Sequence, residues 1–193
     1  MERSLFARRF GGDSGVVDLM RDLGEAVALN PDMIMMGGGN PGRVPAAERL
    51  YRERLRALLD EPALAHAMLG AYQSPQGDES FRAALARMLR EECGWAVDAQ
   101  NIAVANGSQS AFFVLFNLFA GAFDGGRRKH ILLPLVPEYI GYGELGLSDD
   151  MFHAERPAIE ALPDALFKYR VDFGQLAPDA RAGAICVSRP TNP

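Results

Sequence analysis

Apolar residues recur along this chain in two rhythms, and the rhythm alternates. Val16, Val17, Met20, Leu23 and Val27 fall on one side at helical spacing and predict a helix over 13–29, capped by Asp13 or Ser14 and ended at Asn30-Pro31-Asp32. Leu50, Tyr51, Leu55, Leu58 and Leu59 predict a second helix over 46–60, apolar side inward and arginines outward. Phe81, Ala84, Leu85, Met88 and Leu89 predict a third, started by Asp78 and ended near Gly94. Short, mainly apolar runs predict strands at 102–105, 130–135, 151–154 and 184–187. A turn is expected at Pro163-Asp164 and a helix around Gln175–Ala180. Apolar strands alternating with helices predict an α/β fold, a mostly parallel sheet flanked by helices. Ligands of such sheets collect outside the carboxyl ends of the strands.

The stretch from Asn101 to Phe123 organises the rest. Its strand run, 102–105, turns at Asn106-Gly107 and enters an apolar helix near Ser108–Ser110. The first turn of a helix leaves backbone N–H groups without internal partners, and the dipole adds positive potential there. Such a turn suits an anion, with Ser108 and Gln109 adding side-chain donors. A plain strand–helix turn without a ligand explains these residues equally well. Two other loops share that sheet edge, Pro137–Tyr142 and Ser188–Pro193. Near the start, Gly37-Gly38-Gly39 follows an apolar run and suits a close backbone approach or a flexible linker. Pro41 and Pro45, where a helix would have to follow, exclude a dinucleotide fingerprint.

Composition narrows the class. A net charge of −5 argues against a general nucleic-acid binder. The N-terminus has no apolar signal region, and the run Ala111–Phe123, broken by Asn117, is too short for a bilayer, so no membrane partner is expected. Cys93 and Cys186 do not make a disulfide framework, which favours a reducing, cytoplasmic setting. His66, His130 and His153 show no metal-ligand spacing, and no Ser-His-Asp or Cys-His set stands out.

In order, Gly37-Gly38-Gly39-Asn40-Pro41, Tyr72 with Gly77, Asn106-Gly107-Ser108-Gln109, Pro137-Glu138-Tyr139 and Arg189-Pro190-Thr191-Asn192-Pro193 resemble the motifs of pyridoxal-phosphate-dependent aminotransferases of class I/II, fold type I. The likeness covers nearly the whole chain. The phrases at Gly107–Phe113, Asn117–Gly121, Pro137–Tyr142 and Ile185–Pro193 look most like the valine–pyruvate branch. The resemblance implies pyridoxal 5′-phosphate as cofactor. It implies that Gly107, Ser108 and Gln109 hold its phosphate, that Tyr139 stacks on its ring and that Asn192 bonds the ring's phenolic oxygen. Tyr72 would reach the phosphate in a neighbouring subunit of a homodimer, and Gly38 and Gly39 would offer backbone near the substrate carboxylate. Its small-molecule partners would be an amino acid, valine or alanine, and a 2-oxo acid such as pyruvate. Residues 1–45 would form an arm belonging to a small domain, with Met33–Pro45 covering the cofactor. Residues 46–193 would be the first part of the large, cofactor-binding domain.

The chain departs from the family pattern in one respect. The Schiff-base lysine, the acid at the pyridine nitrogen and the carboxylate-binding arginine lie beyond the Asn-Pro motif in the family. Lys129 and Lys168 match none of these positions. The catalytic lysine is therefore expected outside this chain, which reads as the N-terminal part of an enzyme and is expected to be inactive alone. Two other readings fit the same contacts: a carbon–sulfur lyase or decarboxylase on the same fold, and a non-catalytic aminotransferase-like module.

Overall fold

A computed structural model describes residues 2–11, 14–30, 32–34, 42–177 and 179–190. The chain divides into two compact units, one of residues 1–25 with 106–193, the other of residues 26–105.

The first unit is built on a mixed four-stranded sheet. Its centre is β2 (Arg128–Leu133), whose first three residues are basic or polar and whose last three, Ile131 to Leu133, are apolar and buried. β3 (Phe152–Ala154) pairs with β2 in parallel, Ile131 opposite Phe152. β6 (Ala182–Ile185) also pairs with β2 in parallel, Ile131 opposite Ala184. The two-residue β1 (Gly121–Ala122) pairs antiparallel to the start of β2. Between β3 and β6, β4 (Ala158–Ala161) and β5 (Phe167–Arg170) form a separate antiparallel hairpin. The expected turn at Pro163-Asp164 is its tip, with Asp164 and Ala165 at positive φ. The helix expected at 175–180 does not form among the described residues of that span. Asp172 instead accepts backbone N–H bonds from Gly174 and Gln175, a side-chain turn that competes with helix entry, and Pro178 interrupts the segment.

Helix α6 (Gly107–Phe119) packs on this sheet. Phe116 and Ala120 join Ile131, Leu133, Tyr142, Met151 and Cys186 in the core. The Phe116 ring meets Phe152 and Tyr142 edge-on, with centroids 5.3 and 5.4 Å apart. Asn117, the one polar break in the helix's apolar run, is satisfied. Its amide donates to the carbonyls of Phe113 and Leu145, and its oxygen accepts from the Leu147 N–H. It thereby ties the loop after Tyr142 to the helix. The short α1 (Leu5–Phe10), not anticipated from the pattern, anchors through Arg9, which donates to the Gly146 and Ser148 carbonyls and pairs with Asp149. Helix α2 (Gly15–Leu29) begins behind Ser14, whose hydroxyl oxygen accepts from the Val17 N–H. Of its two expected caps, Asp13 lies outside the described residues.

The second unit contains α3 (Pro45–Asp60), α4 (Pro62–Gly70) and α5 (Glu79–Cys93). Asp78 caps α5, accepting from the Phe81 N–H at 2.8 Å, and Gly94 closes it in the left-handed region. The expectation that the apolar stripe of α3 is buried is not met: Leu50, Tyr51, Leu55 and Leu59 are exposed. In α5 the inward side is centred on buried Ala86 with half-buried Leu85 and Leu89, whereas Phe81 and Met88 are exposed. Ala86 is the single buried residue among the described residues of this unit, which has too few layers to cover the apolar faces of its helices. The strand expected at 102–105 also does not form. Ile102 is extended, but the backbone N–H groups of Ile102 and Val104 donate to the carbonyls of Ala99 and Gln76, neither of which lies in a strand. Strand propensity without a neighbouring strand leaves an extended segment.

Candidate functional site

Parallel strands β2 and β6 deliver their following loops to the same carboxyl edge. The loop after β2 carries Glu138, Tyr139, Gly141 and Tyr142, and the loop after β6 carries Ser188, Arg189 and Pro190. The N-terminal turn of α6 completes a cleft of about 270 Å³ lined by Ser108, Gln109, Phe112, Tyr139, Tyr142, Ser188 and Pro190.

The helix start has the properties of an anion cradle. Gly107 sits at φ +85°, in the left-handed region that glycine adopts without strain, and a side chain there would meet nothing within 4 Å. Asn106 precedes the helix without a side-chain cap, and residues 107–110 are exposed. The first-turn N–H groups therefore stand open, as the sequence pattern anticipated, although α6 follows an extended segment and not a strand. Gln109 donates to the Tyr139 hydroxyl at 3.4 Å, which brings the helix start and the aromatic loop together.

Aromatic rings line the rest of the cleft, Tyr142 buried and Tyr139 and Phe112 half-buried. Tyr139 stands edge-on to Tyr142, with ring centroids 5.4 Å apart, and Phe112 lies 4.9 Å from Tyr142. The Tyr142 hydroxyl and the Ser188 hydroxyl are 2.6 Å apart. Burial raises the pKa of the Tyr142 phenol, an effect that its bond to Ser188 partly opposes. Burial, followed by the nearby Glu138 carboxyl, raises that of the Cys186 thiol. Both shifts favour the neutral form of the group.

Gly141 is a residue whose role sequence reasoning did not reach. A Cβ at this buried position would lie 2.5 Å from the Gln109 amide nitrogen and 2.5 Å from a Tyr139 ring carbon. Its place two residues after Tyr139 was legible, but the crossing of three elements at one point was not.

The structure brings together Gly107, Ser108, Gln109 and Tyr139 among the sequence-expected site residues. Tyr72 lies in the other unit and is fully exposed, on the loop between α4 and α5. Gly38, Gly39 and Asn192 lie outside the described residues, as do most of Met33–Pro45. Neither lysine lines the cleft. Lys129 lies in β2 over the Phe123 ring, and Lys168 lies in β5 opposite Glu160. The His130 and His153 rings have centroids 5.1 Å apart and are tilted by 44°, and among the described residues no group of three His, Cys, Asp or Glu could hold a metal. Also among the described residues, no helix is long and apolar enough to cross a membrane.

No family model matches the sequence. The chain is 48% identical over 193 residues to the valine–pyruvate aminotransferase of Escherichia coli K12, aligning all of itself with 46% of that relative. Among solved structures it matches a Psychrobacter arcticum 273-4 protein, determined as a candidate amino-acid aminotransferase, with a TM-score of 0.86 and 42% identity over 100% of this chain and 48% of that one. It also matches the valine–pyruvate aminotransferase of Salmonella typhimurium LT2, with a TM-score of 0.73 and 47% identity over 93% of this chain and 42% of that one. The chain thus spans about half the length of the relatives it matches. Over that span it is a homologue of the valine–pyruvate aminotransferases, with the α/β architecture of the fold type I aminotransferases.

Proposed function

We propose that this chain supplies the phosphate-binding and ring-binding half of the site in a pyridoxal 5′-phosphate-dependent aminotransferase that moves an amino group between valine or alanine and a 2-oxo acid such as pyruvate. The observation that carries the proposal is the cleft between the open N-terminus of α6 and the Tyr139 ring. The donor set fits the cofactor. Ser108, Gln109 and the first-turn amides of α6 offer neutral donors to a phosphate, and Tyr139 offers a flat apolar face. When bound, the cofactor supplies an electron sink for reactions at the amino acid's α-carbon. Phe112 and the neutral Tyr142–Ser188 pair line the ring end of the cleft and limit water there.

Four further residues enter the proposal through the family likeness. Asn192 is assigned to the ring oxygen, and Gly38 and Gly39 to the substrate carboxylate. Tyr72, fully exposed on its loop, is assigned to the cofactor phosphate of a second subunit in a homodimer. Residues 1–45 are assigned to the covering arm and 46–193 to the large domain. The free thiols of Cys93 and Cys186 support a cytoplasmic setting.

The test uses the full-length protein. Fluorescence titration measures pyridoxal 5′-phosphate binding, and mass detection follows alanine formed from valine and pyruvate. Binding with alanine formation is the expected result. No saturable binding, or sulfide or carbon dioxide release in place of alanine, overturns the reading.

A further inference from the structure

Glu138 stands apart from the other carboxylates of the first unit because its side chain is only 3% exposed. One oxygen, Oε1, accepts from the Ser188 backbone N–H at 3.1 Å and from the Arg189 guanidinium at 3.4 Å. The other, Oε2, is buried and has no hydrogen-bond partner among the described residues. A buried acceptor without a donor destabilises the fold. An apolar side chain would fill the same space without that penalty, so packing does not account for a carboxylate here. What the carboxylate does that an apolar group cannot is reach across from the loop after β2 and fasten the loop after β6. The fastened residues matter to the cleft. Ser188 carries the hydroxyl paired with Tyr142, and both line the cleft beside Tyr139. Arg189 opens the segment that leads to Asn192.

We infer that Glu138 is a positioning residue for the cleft: its buried carboxylate locks the Ser188–Arg189 backbone to the Tyr139 loop, so that the two loop walls hold one spacing for the cofactor ring. This inference rests on the cofactor reading above. It gives the residue beside Tyr139 a role distinct from stacking.

Two variants of the full-length protein test it. Glu138→Ala removes the tether. Glu138→Gln keeps an acceptor for the Ser188 N–H and loses the charge facing Arg189. Deuterium exchange of the peptide covering 186–190, measured without cofactor, reads the tether directly. Loss of a charge-assisted bond is expected to speed exchange at Ser188 about tenfold or more in Glu138→Ala, with Glu138→Gln recovering most of the protection. Fluorescence titration is expected to show pyridoxal 5′-phosphate affinity falling in the same order, about tenfold for the alanine variant and less for glutamine. Where Glu138→Ala does not fold, Glu138→Gln against wild type decides, through a smaller but matched change in both readouts. Unchanged exchange overturns the inference, and so does altered exchange with affinity within twofold of wild type. If the wild-type protein itself does not bind pyridoxal 5′-phosphate, the functional reading fails, and with it the role at the ring, while the exchange result still decides the tether.

Discussion

Replacing Gly141 by alanine tests the geometry of the cleft with one added methyl group. The new Cβ would lie 2.5 Å from the Gln109 amide nitrogen and 2.5 Å from Tyr139 Cε1, where ordinary contact begins near 3.4 Å. Relief therefore requires a displacement of about 0.9 Å, the difference between those two distances. The Gln109 amide is the end of a flexible side chain and swings aside, giving up its 3.4 Å bond to the Tyr139 hydroxyl. The Tyr139 ring is less free, because Tyr142 stands edge-on against it and is itself locked to Ser188. Overpacking at such a point costs about 1–3 kcal/mol. If the ring yields, that cost falls on ligand binding and weakens pyridoxal 5′-phosphate affinity by about 5- to 150-fold. If the ring holds, it appears as lost thermal stability. Parallel titration and melting of the full-length variant measure both. A second variant, Gln109→Ala with Gly141→Ala, removes one of the two clashes and is expected to recover part of the stability. Affinity within twofold of wild type together with an unchanged melting temperature would refute the crowding argument.

Other outcomes follow from the same contacts. Asn117→Leu strands the Leu145 carbonyl and the Leu147 N–H and is expected to destabilise by about 2 kcal/mol in urea unfolding. Asp78 has its pKa held below the ordinary 3.8 by the Ser80 hydroxyl and then by the Phe81 N–H, so its support of α5 is present above that value and is lost as pH falls through the folded value. Helical circular dichroism of Asp78→Asn is expected to fall less steeply on acidification than that of wild type. For Cys186 the folded pKa is raised above the ordinary 9.0 by burial, so alkylation followed by peptide mass mapping is expected to label exposed Cys93 first and Cys186 only near unfolding. Its contribution to stability is complete below the unfolded value and is lost as pH rises through the folded one.

The legible parts of the sequence were those where local chemistry and tertiary packing agree. Asp78 and Gly94 bracket α5 through bonds made within a few residues, so composition alone located that helix. The same holds for the Asn106-Gly107 entry to α6 and for the apolar second half of β2. Legibility failed where a partner had to be known. Among the described residues, the run 102–105 has strand residues without a pairing strand in its unit, and the α3 leucines have helical spacing without a covering layer. Around the cleft, motif order brought Ser108, Gln109 and Tyr139 forward. The contributions of Gly141 and Glu138 depend on distances between elements far apart in sequence, which periodicity does not encode.

The β4–β5 hairpin has a consequence for how this fold tolerates change. All eight of its strand residues are exposed, and its strands pair with each other and, among the described residues, with no other strand. β3 and β6, which flank it in sequence, are each held by β2 independently of it. Extra residues at its tip, 162–166, would lengthen a turn that supports nothing else. The hairpin is thus the place where this unit can carry a graft, such as a fluorophore, an epitope or a tether to a surface, while the sheet keeps its register and the cleft at its carboxyl edge keeps its shape.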